Sequence, residues 1–404
     1  MQTQTAPWHK RSFDTFIHEK MPALLESRMP LASISIEDKD TYSFQLKFSL
    51  VGDTGEVTLN FPSLPQPDEQ GIFKLTDTSW IVMPFADSSD LPTAHIKCVG
   101  EQLYDFIAAR LGEAPEDLPL DEDLARAWLP FDEWSHEFLT SERGEEAHWI
   151  LKPNQSLKST NWLSIHTHLR RLVLPRRTEV VLPKNWDGVC PINTPEGPNL
   201  GRILYVALGA EIRDGKLVVL DDAPKKAIGL AAAMVPFLEH NQTTRSLLGS
   251  NIIRQWGPLS EPEPALVQTG HEPNEDAFWQ GVNLLTAFMS WDMGTHEHGL
   301  VVSTSCAHRL RNPGPLEPSD KITTRHGVRG VVTRILPDDS MPALQDGTTV
   351  DIIVSLMSLP SRMDMGALRE AAVSRLAKAG GKPINAPPFH APAQQEIQRL
   401  LKST

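Results

Sequence analysis

Lys321, Arg325, His326 and Arg329 fall within the twelve-residue run Ser319–Gly330, S-D-K-I-T-T-R-H-G-V-R-G. Three cations and an imidazole crowded between turn-formers can aim several N–H donors at one polyanion, either a triphosphate or a nucleic-acid backbone. Gly327 and Gly330 carry no side chain to block close approach of another molecule. A solvated basic loop is the plain alternative for this run taken alone. Other polar clusters occupy Asn161–Arg171, Cys190–Gly201, Pro236–Arg254 and Pro360-Ser361-Arg362. The Thr194-Pro195-Glu196-Gly197-Pro198-Asn199 segment has rigid φ angles and few backbone donors. It is pre-shaped, as a structural corner or as a rigid wall against a ligand.

These clusters need elements to hold them. Apolar spacing over Ser12–Arg28 (Phe13, Phe16, Ile17, Met21, Leu24, Leu25) predicts a helix with Pro22 as kink or boundary. Tyr42, Phe44, Leu46, Phe48 and Leu50 alternate with polar residues, as in a half-buried strand. Val57–Phe61 and Gly71–Phe85 continue in a strand-and-turn style. Leu103, Phe106, Ile107 and Leu111 mark a helix that Gly112 ends. Residues 161–360 break into short apolar runs punctuated by Pro and Gly, which predicts a β-rich core with many turns. Ala367–Ala379 reads as a helix stopped by Gly380, Gly381 and Pro383, and Gln394–Leu401 as a last short helix. No internal repeat appears.

The 404 residues can bury a sizeable core and suggest two or three domains. Hydrophobic content of 40% and charged content of 22% are those of a globular protein. Neither an apolar run of bilayer length nor an apolar signal core is evident, and Cys98, Cys190 and Cys306 are too scattered for a disulfide framework. The chain reads as cytoplasmic. A net charge of −13 argues against a free-standing nucleic-acid binder. The distribution says more: Glu113–Glu146 holds twelve acidic residues against two basic, and Lys152–Lys184 seven basic against Glu179 alone. That asymmetry suits one component of a larger assembly, and ordinary surface asymmetry would look the same. The 113–146 stretch, with Trp128, Pro130 and Trp134, is either a short helical subdomain or a mobile excursion.

Taken in order, the clusters resemble a known set. N-W-L-S-I-H-T-H-L-R-R-L (161–172), C-P-I-N-T-P-E-G-P-N-L-G (190–201), P-F-L-E-H-N-Q-T-T-R-S-L-L-G-S-N-I-I-R-Q (236–255) and D-K-I-T-T-R-H-G-V-R-G-V-V (320–332) resemble signature blocks of the bacterial RNA polymerase β subunit. So do A-F-M-S-W (287–291) and M-P-A-L-Q-D-G-T-T-V-D-I-I-V (341–354), running into L-P-S-R-M-D-M-G (359–366). The blocks keep the family's order from about residue 12 onward. Against that pattern the chain is short: Ser303–Ser319 stands where the family carries its flap. The region from about Asp90 to Trp149 looks like a reduced lobe, and the chain stops soon after Leu401.

The resemblance implies an α+β, β-rich fold: a double-psi β-barrel-type catalytic core (190–365) with an N-terminal protrusion-like domain (1–112). An acidic lobe-like segment (113–150), a fork or hybrid-wall region (151–189) and a C-terminal helical segment (366–404) complete it. It implies a subunit that supplies cations for template-directed RNA synthesis, with nucleoside triphosphates, template DNA and nascent RNA. A β′-like partner would hold most of the Mg²⁺, and α-like subunits are further candidate partners. No D-x-D-G-D cluster occurs in the chain; Asp121-Glu122-Asp123 and Asp221-Asp222 read as solvated surface. By block matching, Lys321 and Arg329 take the places of two family lysines near the RNA end and incoming nucleotide, and Arg245 and Arg362 those of triphosphate-binding arginines. Arg329 is a planar fork where the family has an ammonium, so that exchange is not neutral. Arg170, Arg171, Glu196 and Asn199 match the wall facing the RNA–DNA hybrid. Asn251 and Arg254 either brace the fold or touch nucleic acid, and Arg325 is a nucleic-acid-binding candidate. His326 either donates to phosphate or braces its own loop. Glu297 is an auxiliary metal candidate, weakened because His298 stands where the family has an aspartate. The alternative is a non-catalytic β paralogue that binds nucleic acid or polymerase subunits and regulates them.

Overall fold

The computed structural model describes residues 6–52, 55–112, 121–140, 154–175 and 187–403. The acidic run is therefore seen over 121–140 and the basic run over 154–175; the rest of both lies outside the described residues. Helix Trp8–Thr15 continues through a π-helical turn, Phe16–Lys20, into helix Met21–Arg28. Pro22 has no N–H to offer the preceding turn, and the ladder widens just before it. Phe13, Phe16, Ile17, Met21, Leu24 and Leu25 point into one core. That core also takes Phe44, Leu46, Phe48 and Leu50, the inward face of strand Ser43–Gly52. This strand lies between Leu31–Asp40 and Gly55–Pro65 in an antiparallel sheet.

Strand Leu31–Asp40 was not anticipated, because only Ile34 and Ile36 alternate cleanly and Glu37, Asp38 and Lys39 face water. Charge on an edge strand deters pairing with another chain. The described part of the acidic run takes the helical reading. Helices Glu122–Trp128 and Phe131–Thr140 pack on the sheet, with Phe131 edge-on to Phe48 and Phe61 at 5.8 and 5.5 Å. Asp121 caps the first through the N–H of Leu124 at 3.0 Å, and Glu122 and Asp123 stay in water.

Downstream, a four-stranded sheet joins Ile203–Tyr205, Arg171–Val173, Phe85–Ala86 and Ile96–Lys97 in that order. Beside it, helices Trp162–Leu169, Leu230–Ala233 and Thr243–Ile252 surround buried Leu163, Cys190 and Ala231–Val235. The described residues between 161 and 256 are thus more helical than their Pro- and Gly-punctuated sequence suggests. A capping box, Asn161 with Ser164, starts the first of these helices, so its polar residues initiate a helix rather than a turn. The β-rich reading holds further on, in a mixed five-stranded sheet. Its order is Thr286–Phe288, Ile352–Val354, Gly299–Ser303, Arg329–Leu336, Lys321–Thr323. Two of its pairings are parallel: Thr286–Phe288 with Ile352–Val354, and Gly299–Ser303 with Arg329–Leu336. Helix Met365–Gly380 follows, N-capped by Asp364 and ended by left-handed Gly381. It packs with helix Gln394–Ser403 over Phe237, Val267, Val373 and Ile397. The architecture is α+β and sheet-rich. No described helix is long and apolar enough to cross a membrane.

Candidate functional site

The basic run folds as a β-hairpin. Lys321 lies opposite Val331 and Thr323 opposite Arg329, so Lys321 and Arg329 share one face of the two strands. Both side chains are exposed, and neither makes an ion pair with a described residue. Thr324 and Val328 close the tip. Gly327 has φ +78°, and a Cβ there would sit 2.5 Å from the Arg245 carbonyl oxygen and 2.8 Å from the Gly249 nitrogen. A Cβ on Gly249 would in turn strike the Arg325 carbonyl. The close approach these glycines permit is therefore to the chain's own helix Thr243–Ile252, and Gly330 likewise packs on Leu300. Gly249 has an ordinary φ, so Gly249→Ala should act through the clash alone. Its expected cost is about 1–3 kcal/mol, read from the urea midpoint against Gly112→Ala, where the added methyl meets nothing.

The docked helix carries Arg245, half-buried in its first turn. Arg362 ends the short helix Ser358–Arg362, is 5% exposed, and donates to Nδ1 of His298 at 2.5 Å. Burial lowers the Arg362 guanidinium from its ordinary range, Arg245 lowers it further, and Asp364 opposes both. Two neighbouring guanidinium groups, one of them desolvated, form a place where an anion relieves repulsion. The His298 carbonyl accepts from the N–H of Val331 at 2.9 Å, and Val331 faces Lys321. The elements carrying Lys321, Arg329, Arg245 and Arg362 thus meet. Asp364 is wholly buried, and burial raises its carboxyl, opposed mainly by His326.

Glu297 stands exposed with φ +51°, in a turn that also holds Asp292 at φ +44°. Among the described residues no three His, Cys, Asp or Glu side chains come together as a metal-ligand set.

The remaining candidates divide sharply. Glu196 is exposed and Asn199 half-exposed on the Pro-rich loop. Arg170 is 2% exposed, with its guanidinium donating to the carbonyls of Val206, Ala207 and Ala210. Arg171 is buried over the Tyr205 ring. Arg254 donates to Tyr205 Oη at 2.8 Å and to Asn251, whose Nδ2 donates to the Thr194 carbonyl at 3.0 Å. Asn251 and Arg254 therefore brace the Pro-rich loop from behind. Arg325 and His326 turn inward onto Glu370. Tyr205, which gathers Arg171 and Arg254, was missed by the sequence reading. Its neighbours Leu204 and Val206 made it look like ordinary core.

Comparison with known proteins matches residues 155–212 to RNA polymerase Rpb2, domain 3, and residues 302–404 to RNA polymerase Rpb2, domain 6. The first range includes Arg170, Arg171, Glu196 and Asn199, and the second Lys321, Arg325, His326, Arg329 and Arg362. The DNA-directed RNA polymerase subunit beta of Borreliella burgdorferi is 41% identical over 88 residues, 22% of this chain and 8% of that protein. That of Caldicellulosiruptor bescii is 42% identical over 83 residues, 20% of this chain and 7% of that protein. The Chlorobium chlorochromatii subunit is 40% identical over 87 residues, 22% and 7% respectively. The matched stretch spans less than a tenth of each relative's length. In these two stretches, the second of which contains the cationic hairpin, the chain is similar to the bacterial RNA polymerase β subunit.

Proposed function

We propose that the chain is a compact β-like subunit of a DNA-directed RNA polymerase, a nucleotidyltransferase. The observation that carries this reading is that the elements bearing exposed Lys321 and Arg329, Arg245 and Arg362 pack on one another. In this reading the two arginines bind the incoming triphosphate through N–H donors. Lys321 and Arg329 face the RNA end and offset charge that builds on the phosphoryl oxygens during transfer. Arg362 is held on His298 before substrate arrives, so that donor needs little reorganisation during the reaction. Glu196 and Asn199 line the hybrid wall, where contacts go largely to backbone. Arg170, Arg171, Asn251, Arg254, Arg325 and His326 serve it by bracing the walls behind these groups.

Mg²⁺ would supply the Lewis acid at the transferring phosphate. The described residues do not fit it: exposed Glu297 stands without ligating partners, so the metal falls to a β′-like partner and no step through it belongs to this chain. The mixed sheet with its parallel pairs supports a double-psi-barrel-like core within 190–365, and the helix-backed antiparallel sheet a protrusion-like domain within 1–112. Segments 113–150, 151–189 and 366–404 are the lobe-like, fork and C-terminal pieces of this reading. Template DNA, nascent RNA, an α-like subunit and a cytoplasmic site follow from such an assembly. The non-catalytic regulator is the second reading, favoured by one observation: Arg362 is buried and already engaged with His298.

The test is co-purification of the tagged chain followed by Mg²⁺-dependent extension of an RNA primer on a DNA template. Lys321→Ala, an exposed site, should leave the fold intact and lower extension by about 100-fold. Binding of subunits or nucleic acid without extension under any metal condition would favour the regulator.

A further inference from the structure

Three elements carry the four cations, and a continuous chain of hydrogen bonds runs between them. Asn241, four residues before Arg245, accepts from the Gly366 N–H at 2.9 Å through Oδ1. Its Nδ2 pairs with His326 Nδ1 at 2.8 Å, and His326 Nε2 with Glu370 at 2.5 Å. The other Glu370 oxygen accepts from Arg325, which also donates to the Val267 carbonyl at 2.8 Å. An amide nitrogen only donates and a carboxylate only accepts, so this pattern assigns His326 the tautomer protonated at Nε2. His326 is 1% exposed, which bars water from replacing either bond. Asp364 lies 3.8 Å from His326 Nδ1, beyond hydrogen-bond range, and stands outside the chain.

The placement of these residues is what matters. His326 sits at the hairpin tip between Lys321 and Arg329. Gly366 and Glu370 follow Arg362 on the helix that Asp364 caps. Asn241 leads into the helix of Arg245. We propose that Asn241, His326 and Glu370 are positioning residues that fix the three cation-bearing elements against one another. The proposal rests on the reading of Lys321, Arg329, Arg245 and Arg362 as phosphate-binding groups. Like charges drift apart unless something holds them, and a hydrogen-bond network centred on buried His326 holds its half-buried partners in one geometry.

Two variants break the chain at different links. Glu370→Gln keeps the shape and removes the charge; Asn241→Leu removes both the donor and the acceptor. Amide hydrogen exchange at residues 319–330 should quicken by at least about tenfold in each, while Gly299–Ser303 stays protected. In primer extension kcat/KM for nucleotide should fall by about 100-fold through a raised KM, with affinity for the RNA–DNA scaffold unchanged. Unchanged exchange at the tip in both variants overturns the proposal. So does loss of protection across the whole sheet with scaffold and nucleotide binding falling together, which is a general folding role. If the wild-type complex extends no primer, the polymerase reading fails and inorganic tripolyphosphate becomes the probe. A tenfold loss of its affinity in both variants then supports positioning, and an unaltered affinity overturns it.

Discussion

Arg170→Ala lowers the unfolding free energy by about 4 kcal/mol, the cost expected when three buried carbonyls lose their donor together. Arg170 Nε lies 3.1 Å from the Val206 oxygen and Nη2 3.1 Å from that of Ala210, with a further bond to Ala207. Its guanidinium also covers the Trp8 ring at 5.2 Å, which ties the first helix to this sheet. Burial lowers the guanidinium to about 10, partly offset by Glu211, so it stays charged at neutral pH. Arg170→Lys recovers little of the loss, since one ammonium cannot span three acceptors set for a planar fork. A direct contact to nucleic acid predicts the opposite result. The urea midpoint would then stay put, and the salt dependence of RNA binding would fall by about one unit of slope. Urea titration and salt-dependent binding on the same variant separate the two.

Acid weakens the fold from near neutrality, through two buried histidines. His9 Nε2 lies 2.8 Å from the Leu169 carbonyl. Burial drives it to about 4, with the Leu169 bond opposing and Arg170 adding to the drop. His168 is driven to about 2 by burial and then by Arg171, Lys158 and Arg254. Both folded values lie below the unfolded value of 6.5, so the unfolded chain binds the extra protons. Stability is complete above pH 6.5 and is lost as pH falls, down to about 4 for His9 and about 2 for His168. Each contributes a slope of about 1.4 kcal/mol per pH unit, so the pair removes about 4 kcal/mol between pH 7 and pH 5. Glu370 adds nothing in that window. Burial raises it, but Arg325 and His326 outweigh burial and hold it at about 2, so its contribution fades only between about 4.5 and 2. His166, which burial also lowers to about 4, adds to that slope, so urea midpoints across pH 5–7 should fall steeply in the wild type and clearly less steeply in His168→Gln. A flat wild-type profile would sink the account.

What the sequence disclosed follows from periodicity and local chemistry. Phe44, Leu46, Phe48 and Leu50 announced their strand because alternation is a local property, and Met365–Gly380 announced itself through good formers and a glycine stop. Leu31–Asp40 stayed hidden because an exposed edge strand needs little apolar pattern. Among the site residues, motif spacing brought Lys321, Arg329, Arg245 and Arg362 to attention together, and their elements do meet. Spacing could not tell that Arg170 and Arg325 turn inward, since an arginine in a basic run looks the same whichever way it points. Glu370 and Asn241 went unremarked, although Glu370 is the one acid on a helix otherwise apolar, basic or small. Such a lone acid, opposite a loop rich in cations, was the available signal.

The contacts that close the hairpin tip span 44 and 45 residues, those from Asn161 to Ile253 and Trp256 span 92 and 95, and His9 reaches Leu169 across 160. Pairings so distant in sequence fold slowly, because loop closure must come before any contact rewards it. On the ribosome the order is fixed as well. At about 5–20 residues per second the completed hairpin waits roughly 2–8 s before Glu370 has been made. Through that interval the tip has its Asn241 and Val267 partners but lacks the carboxylate that joins Arg325 to His326, while Lys321–Thr323 is already the edge strand it remains in the finished sheet.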